Sequence, residues 1–332
     1  MSTNGSPAVN DDGKHRNPRV MMWCVPRSVS TAMTKCMSFV KGAEVWLEPY
    51  VISKAADDVH HIRHPDSSFP LELEGNEDSF RETAINLTLG GDDFDRDHLD
   101  LLSPVTLKRI FDNLDPAKKF VFIKDMAVGM PPSRYPYLPD RSSGIKHFFL
   151  IRHPVKAYKS LRKGLLNFLL TSDPAFLQDA GIKMPDEKTF HIIKDLPPPR
   201  EGTQYNYQAI HELWSYIRKT VDKDPVIVDI DEVLENPSAM MPRLCNALAI
   251  PYSKSLLSWD ASSDVVLKWK SSCSNVRDSP RYAMWFTNAF KSSCFKASST
   301  TASLDDATDD IKEVVEKEMP FYEEMYNLRL TI

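Results

Sequence analysis

The stretch "RVMMWCVPRSVSTAMTKCM", residues 19–37, decides the fold. Residues 19–25 form a continuous apolar run, of the length expected for a strand buried on both faces. After "PRSVS", Met33, Cys36, Met37 and Val40 recur at helical spacing. Ser28, Ser30 and Thr31 stand where a helix start is capped. The unit is strand, tight loop, helix.

The same alternation continues outward. "AEVWLEPY" (43–50) reads as a short strand stopped by Pro49, and "KKFVFIKDM" (118–126) as another. "IKHFFLIRHP" (145–154) is a further strand with a helix over 155–170, and "DPVIVDIDEVL" (224–234) is the last. "YQAIHELWSYIRKTV" (207–221) is an amphipathic helix, and an Asn-Pro signal opens another over 236–250. Residues 53–100, rich in Asp, Glu and His, lack a sustained period and are expected to form a helical or looped insertion. Residues 171–204, containing "LPPPREGTQ", read as a long loop or lid, and 297–310 as a small-polar linker to a helix over 311–328. The polar leader 1–18 is expected to be disordered. Strands alternating with helices imply one α/β domain over 19–332 with a mostly parallel central sheet flanked by helices. In such sheets ligands bind at the carboxyl ends of strands, here Pro26–Thr31, Glu48, Lys124–Asp125, Arg152–His153 and Asp229–Asp231.

Bulk composition narrows the function. Of 332 residues, 42% are hydrophobic and 26% charged, with a net charge of −5, so no global basic field favours nucleic acid or acidic membranes. Five cysteines, an odd number without CxxC spacing, fit a reduced compartment better than a disulfide framework or a zinc knuckle. The N-terminus has no apolar core of a signal peptide, and no run of about 18 apolar residues occurs. The expectation is a soluble cytoplasmic protein with no membrane partner and no nucleic-acid partner, with room for a homodimer. His60, His61 and His64 lack a convergent fourth ligand, so no metal site is expected.

Chemistry concentrates at two strand ends. In "PRSVSTA", free backbone N–H groups and the helix dipole favour an anion, to which Ser28, Ser30 and Thr31 add hydroxyls and Arg27 a planar positive charge. The loop lacks the glycines and Lys-Ser/Thr pair of GxxxxGK[ST]. In "FFLIRHPVKAYKSL" (148–161), a buried strand ends at Arg152 and Ser160 follows eight residues on, a guanidinium and a hydroxyl suited to a second phosphate. The earlier "IRHP" at 62–65 has no apolar strand before it, and position 71 is Leu.

"PRSVSTA" followed by "FLIRHPVKAYKSL" resembles the two nucleotide signatures of sulfotransferases that use 3′-phosphoadenosine 5′-phosphosulfate (PAPS). The order "WCVPRSVSTA", "WLEPY", "FIKDMA", "FLIRHPVKAY", "VIVDIDEVLENPSAMMPRLCNALAIPY" is similar to the P-loop sulfotransferase-like branch of that family, over most of 19–330. The resemblance implies a three-layer P-loop-type fold. It also implies sulfuryl transfer from PAPS to a hydroxyl or amine of a small-molecule acceptor, with 3′-phosphoadenosine 5′-phosphate (PAP) as product and no metal. Arg27 and residues Ser28, Val29, Ser30, Thr31 and Ala32 would hold the 5′-phosphosulfate, and Arg152 with Ser160 the 3′-phosphate. The "KTH"-like strand end of cytosolic sulfotransferases is here "IKDM", which has no His. Carbohydrate and bacterial sulfotransferases have instead a Glu, often followed by Pro, about two dozen residues after the loop Arg. Glu48 in "WLEPY", 21 residues after Arg27, is the matching base. Asp125 is the second choice, and Lys124 would assist the leaving phosphate. The stretch "YAMWFTNAFKSSCFKASS" (282–299) looks like the loop that covers the nucleotide, with Trp285 or Phe295 against adenine and Lys296 near phosphate; a buried aromatic cluster is the alternative. Two other functions stay open: a phosphotransferase with a degenerate loop, and a non-catalytic nucleotide-binding protein.

Overall fold

Strand β1 (Arg19–Cys24) lies at the centre of a sheet, and every other strand is placed relative to it. The computed structural model describes residues 17–88, 96–272, 280–298 and 301–332; nearly all of the leader expected to be disordered lies outside the described residues. After β1 come α1 (Ser30–Met37), β2 (Ala43–Leu47), α2 (Pro49–Arg63), α3 (Glu77–Thr88), α4 (Arg96–Asp100), α5 (Pro104–Asp112) and β3 (Phe120–Met126). Then follow β4 (Lys146–Ile151), α6 (Pro154–Leu170), α7 (Pro174–Asp179), α8 (Asn206–Thr220), β5 (Val226–Asp229), α9 (Ile230–Glu235) and α10 (Pro237–Ala247). The chain closes with α11 (Pro280–Phe290) and α12 (Asp309–Asn327).

The five strands run parallel in the order β2-β3-β1-β4-β5. A parallel sheet covered on both faces explains why the strands read as unbroken apolar runs rather than alternating ones. The period of two is nonetheless visible in the packing. Met21, Trp23, Val25, Ile123, Phe149 and Ile151 face a layer built on α5, α6, α8 and α12, whereas Val20, Met22, Cys24, Phe122, Phe148 and Leu150 face α1, α9 and α10. The result is the three-layer α/β arrangement that the alternation of elements predicts.

The topology also fixes where a ligand can bind. From β1 the chain moves to β2 on one side of the sheet, and from β4 it moves to β5 on the other. The neighbours β1 and β4 therefore flank the point where the winding reverses, and a crevice opens beyond their carboxyl ends. Arg27 follows β1 there, and Arg152 follows β4.

Several boundaries differ from the sequence expectation. Pro49 does more than end β2: it occupies the first turn of α2, where its missing N–H costs nothing. Most of the described insertion is helical, in α2, α3 and α4, around a small core of its own that includes Ala56, Phe69, Phe80, Ala84 and Leu102. Within 171–204 the only helix among the described residues is the short α7. The 297–310 linker is tied down in part, with Ala307 buried and Asp306 paired with Lys159. Among the described residues no helix is long and apolar enough to cross a membrane.

Candidate active site

The loop between β1 and α1 is strained. Arg27 has φ 65° and Val29 φ 61°, both in the left-handed region that non-glycine residues avoid, and a β-branched residue there is an outlier. Each such residue costs about 1–3 kcal/mol, and such conformations persist only where the surroundings enforce them. The surroundings are visible. The hydroxyl of the fully buried Ser28 donates to the Val25 carbonyl at 2.7 Å, and Arg152 Nη1 donates to the Arg27 carbonyl at 2.9 Å.

One expectation is corrected here. The N-cap of α1 is Val29, and no side chain caps it. Ser28 turns inward to Val25, and the Thr34 hydroxyl donates to the Ser30 carbonyl. The Ala32 and Met33 amides donate to the Val29 carbonyl, at 3.1 and 3.2 Å, so it is the Ser30 and Thr31 amides that this start can offer, the arrangement that makes a helix start an anion site.

That helix start borders a cavity of about 330 Å³. Arg27, Val29, Ser30, Thr31, Ala32, Arg152, Ser160, Trp285, Phe295 and Lys296 all line it. Of the residues expected to bind a nucleotide, only Ser28 stays out. No carboxylate is among the described lining residues. Burial, and after it the neighbouring Arg152 guanidinium, push the Arg27 guanidinium below its ordinary pKa. Two guanidiniums and the Lys296 ammonium therefore line one cavity, and a bound anion would favour their charged forms. Arg27 Nε donates to Ser160 Oγ at 3.0 Å and Nη1 to the Trp285 carbonyl at 3.3 Å. The guanidinium also lies 5.4 Å from the centre of the Trp285 ring. Arg152 Nη2 donates to Ser298 Oγ at 2.9 Å. Its Nε is buried without a hydrogen-bond partner, 3.5 Å from Asp231 Oδ1.

The wall opposite the loop is α11 and the chain after it. Lys35, in the apolar run of α1, donates to the carbonyls of Phe290 (2.5 Å) and Ser292 (2.8 Å) and so pins the end of α11 to α1. Trp259 Nε1 donates to the Ser292 carbonyl, and its ring meets Phe295 edge-on at 5.0 Å. Phe295 belongs to a buried aromatic cluster, the alternative reading of this stretch, and it also lines the cavity.

Glu48, Lys124 and Asp125 lie along the same sheet edge, outside the cavity lining. Glu48 and Lys124 form a close ion pair across β2 and β3. Burial works against the charge on Lys124, but Glu48, with Cys24 and Asp125, holds the ammonium above its ordinary pKa. Asp125 points to the other side of β3. It is fully buried, and its carboxylate accepts N–H bonds from Tyr50 (2.5 Å), Val51 (3.1 Å) and Met126 (2.8 Å). Burial raises it to about 7, against the Tyr50 amide, with Glu48 adding to the rise and the Met126 amide and Lys124 lowering it.

Other expected and unexpected residues can be placed as well. His153 is the N-cap of α6, stacked edge-on against Tyr322 at 5.5 Å, with a buried Nδ1 that has no partner. The first "IRHP" lies at the exposed end of α2. Asn288, Ser292, Ser298 and Leu234 line the cavity without having been singled out. Lys35 had one sequence signal, a lone cation among Met33, Cys36 and Met37. Among the described residues no three His, Cys, Asp or Glu side chains meet as metal ligands.

Two solved structures are similar in outline. The sulfotransferase domain from the curacin biosynthetic pathway aligns at 10% identity and a TM-score of 0.38, over 91% of this chain and 98% of that one. The sulfotransferase domain from the Synechococcus PCC 7002 olefin synthase aligns at 11% identity and a TM-score of 0.32, over 94% and 98%. Overlap this loose carries nothing about activity. No family model matches the sequence, and no curated protein does.

Proposed function

We propose that the chain transfers a sulfuryl group from PAPS to a hydroxyl or amine of a small acceptor and releases PAP. The observation that carries this reading is the meeting of Arg27, the open start of α1, Arg152, Ser160 and Trp285 around one cavity with no carboxylate among its described lining residues. PAPS has phosphate at two separate positions on one adenosine, and the cavity offers two separate guanidiniums. The lowered pKa of Arg27, set by burial and by the Arg152 guanidinium, fits such an anion. When bound, PAPS supplies the sulfuryl group, and the acceptor oxygen or nitrogen displaces PAP.

The residues divide the remaining work. Arg27 and the amides of α1 would hold the 5′ end and offset charge growing there. Arg152 and Ser160 would hold the 3′-phosphate. Trp285, Phe295 and Leu234 give the base apolar faces. Glu48 would take the acceptor proton, beside Lys124. Residues 19–332 act as one domain in this reading, and the partner is a small molecule.

Calorimetry with PAP tests it. Arg152→Ala should weaken binding at least about tenfold, near 1.4 kcal/mol, the low end for a charged hydrogen bond. Adenosine 5′-phosphate should bind far more weakly than PAP. Equal affinity for the two nucleotides would remove the assignment. A screen of acceptors with labelled PAPS then separates a transferase from a protein that only binds the nucleotide.

A further inference from the structure

One buried carboxyl outside the cavity, Asp125, stands next in sequence to Lys124, the partner of the proposed base. Glu48 has φ 56°, and it precedes a proline. Residues before proline favour extended backbone, so a left-handed glutamate there is doubly disfavoured. Nothing in its own side chain caps α2. The turn is held from outside. The Glu48 amide donates to the Lys124 carbonyl at 2.7 Å, and Asp125 accepts the amides of Tyr50 and Val51 that directly follow Pro49. From the other side Gly129 presses on Val51, where even a methyl group would come within 2.6 Å of its Cα.

A cap needed only for helix stability does not call for this residue. Asn or Ser caps a helix about as well as Asp and brings no charge to bury. Asp125 instead keeps a carboxyl at zero exposure next in sequence to Lys124, the partner of Glu48.

We propose that Asp125 is the positioning residue for Glu48: by holding the first amides of α2 it keeps Glu48 in the left-handed turn that sets its carboxylate against Lys124. The inference rests on the reading of Glu48 as base. It also predicts a pH response, because Asp125 titrates at about 7. The groups facing it are Glu48 and Tyr50 at the start of α2, Lys124 on β3 and Cys24 on β1. Protonation replaces one accepting oxygen by a donor and loosens its hold on the two amides. The setting of Glu48 should then relax as pH falls through about 7.

The full chain, labelled with carboxyl ¹³C-glutamate, provides a test independent of turnover. The Glu48 signal is the one lost in Glu48→Gln. In Asp125→Asn it should shift, and the calorimetric affinity for PAP should stay within about twofold of wild type. In the wild-type protein the Glu48 signal should report a step near pH 7 that Asp125→Asn lacks; this step can be sought even if the variant folds poorly. A Glu48 signal unmoved by Asp125→Asn, or a wild-type signal with no step near 7, overturns the proposal. A signal that shifts while turnover with labelled PAPS stays at the wild-type rate upholds the positioning role and removes instead the reading of Glu48 as base.

Discussion

The two helix starts at the carboxyl edge of the sheet are built alike and used differently. Each follows a buried strand, and each has a non-glycine N-cap in the left-handed region, Val29 for α1 and Glu48 for α2. At α1 no side chain caps the first turn, and the amides border a cavity with Arg27 and Arg152 on its walls. At α2 a buried carboxylate closes the first turn, and Gly129 leaves no space behind it. Strain in the first case shapes a place for a ligand. In the second it fixes the direction of one side chain. In the proposed reading the open start binds and the closed start aims, and a transferase would need both within reach of one sheet edge.

The comparison can be broken most severely at the aimed residue. Glu48→Gln should lower turnover by roughly 10²–10⁴-fold, the usual contribution of a general base. PAP affinity, measured by calorimetry, should not change, because Glu48 does not line the cavity. A loss of affinity as large as the loss of rate would mean that the two starts are not separate.

The next effect is on stability and follows from linkage. Asp125 is raised from 3.8 to about 7 and Asp229 from 3.8 to about 6, both mainly by burial. Between those values the folded state holds protons that the unfolded state has lost. Stability therefore falls as pH rises from about 4 to about 7, by on the order of 4 kcal/mol for a three-unit shift. Denaturant titrations at several pH values measure the slope, and Asp125→Asn should remove the larger part of it. Gly129→Ala should cost somewhat less, about 1–3 kcal/mol, as overpacking against the Val51 backbone. Its signature is a lower denaturation midpoint.

The open start was legible in the sequence and the closed one was not. An apolar run ending in "PRSVSTA" reads directly as strand, loop and helix, and Arg152 is found by the same rule at the end of "FFLI". Local pattern carries both. The role of Asp125 depends on a contact with Tyr50, 75 positions away, and on burial that no window of sequence reports. Pro49 hid α2 because a proline after a strand reads as a stop, although the same ring suits a first helical turn. The hydroxyls of 28–31 misled for a related reason. Their types favour capping, but the backbone at Val29 turned Ser28 away from the helix. Helix α11 falls in a stretch that reads as a covering loop, because its aromatic residues are split between core and cavity: Phe286 and Phe290 stack on each other while Trp285 lines the cavity.

The smallest predicted effect separates the cover of the open start from the stability of the fold. Gly164 lies in α6 directly under Trp285, and a methyl group there would come within 2.5 Å of the indole ring. Trp285 must shift in Gly164→Ala, and Arg27 then loses the ring beneath its guanidinium and the geometry of its bond to the Trp285 carbonyl. A cation–π contact of this kind contributes about 0.5–2 kcal/mol. The same substitution favours α6, since alanine is better than glycine inside a helix by about 1 kcal/mol. The two terms act on different measurements. Thermal stability should hold or rise slightly, while PAP binds about three- to tenfold more weakly. A fall in both would mean that the ring is held by core packing alone. Unchanged affinity would mean that the cavity closes without Trp285.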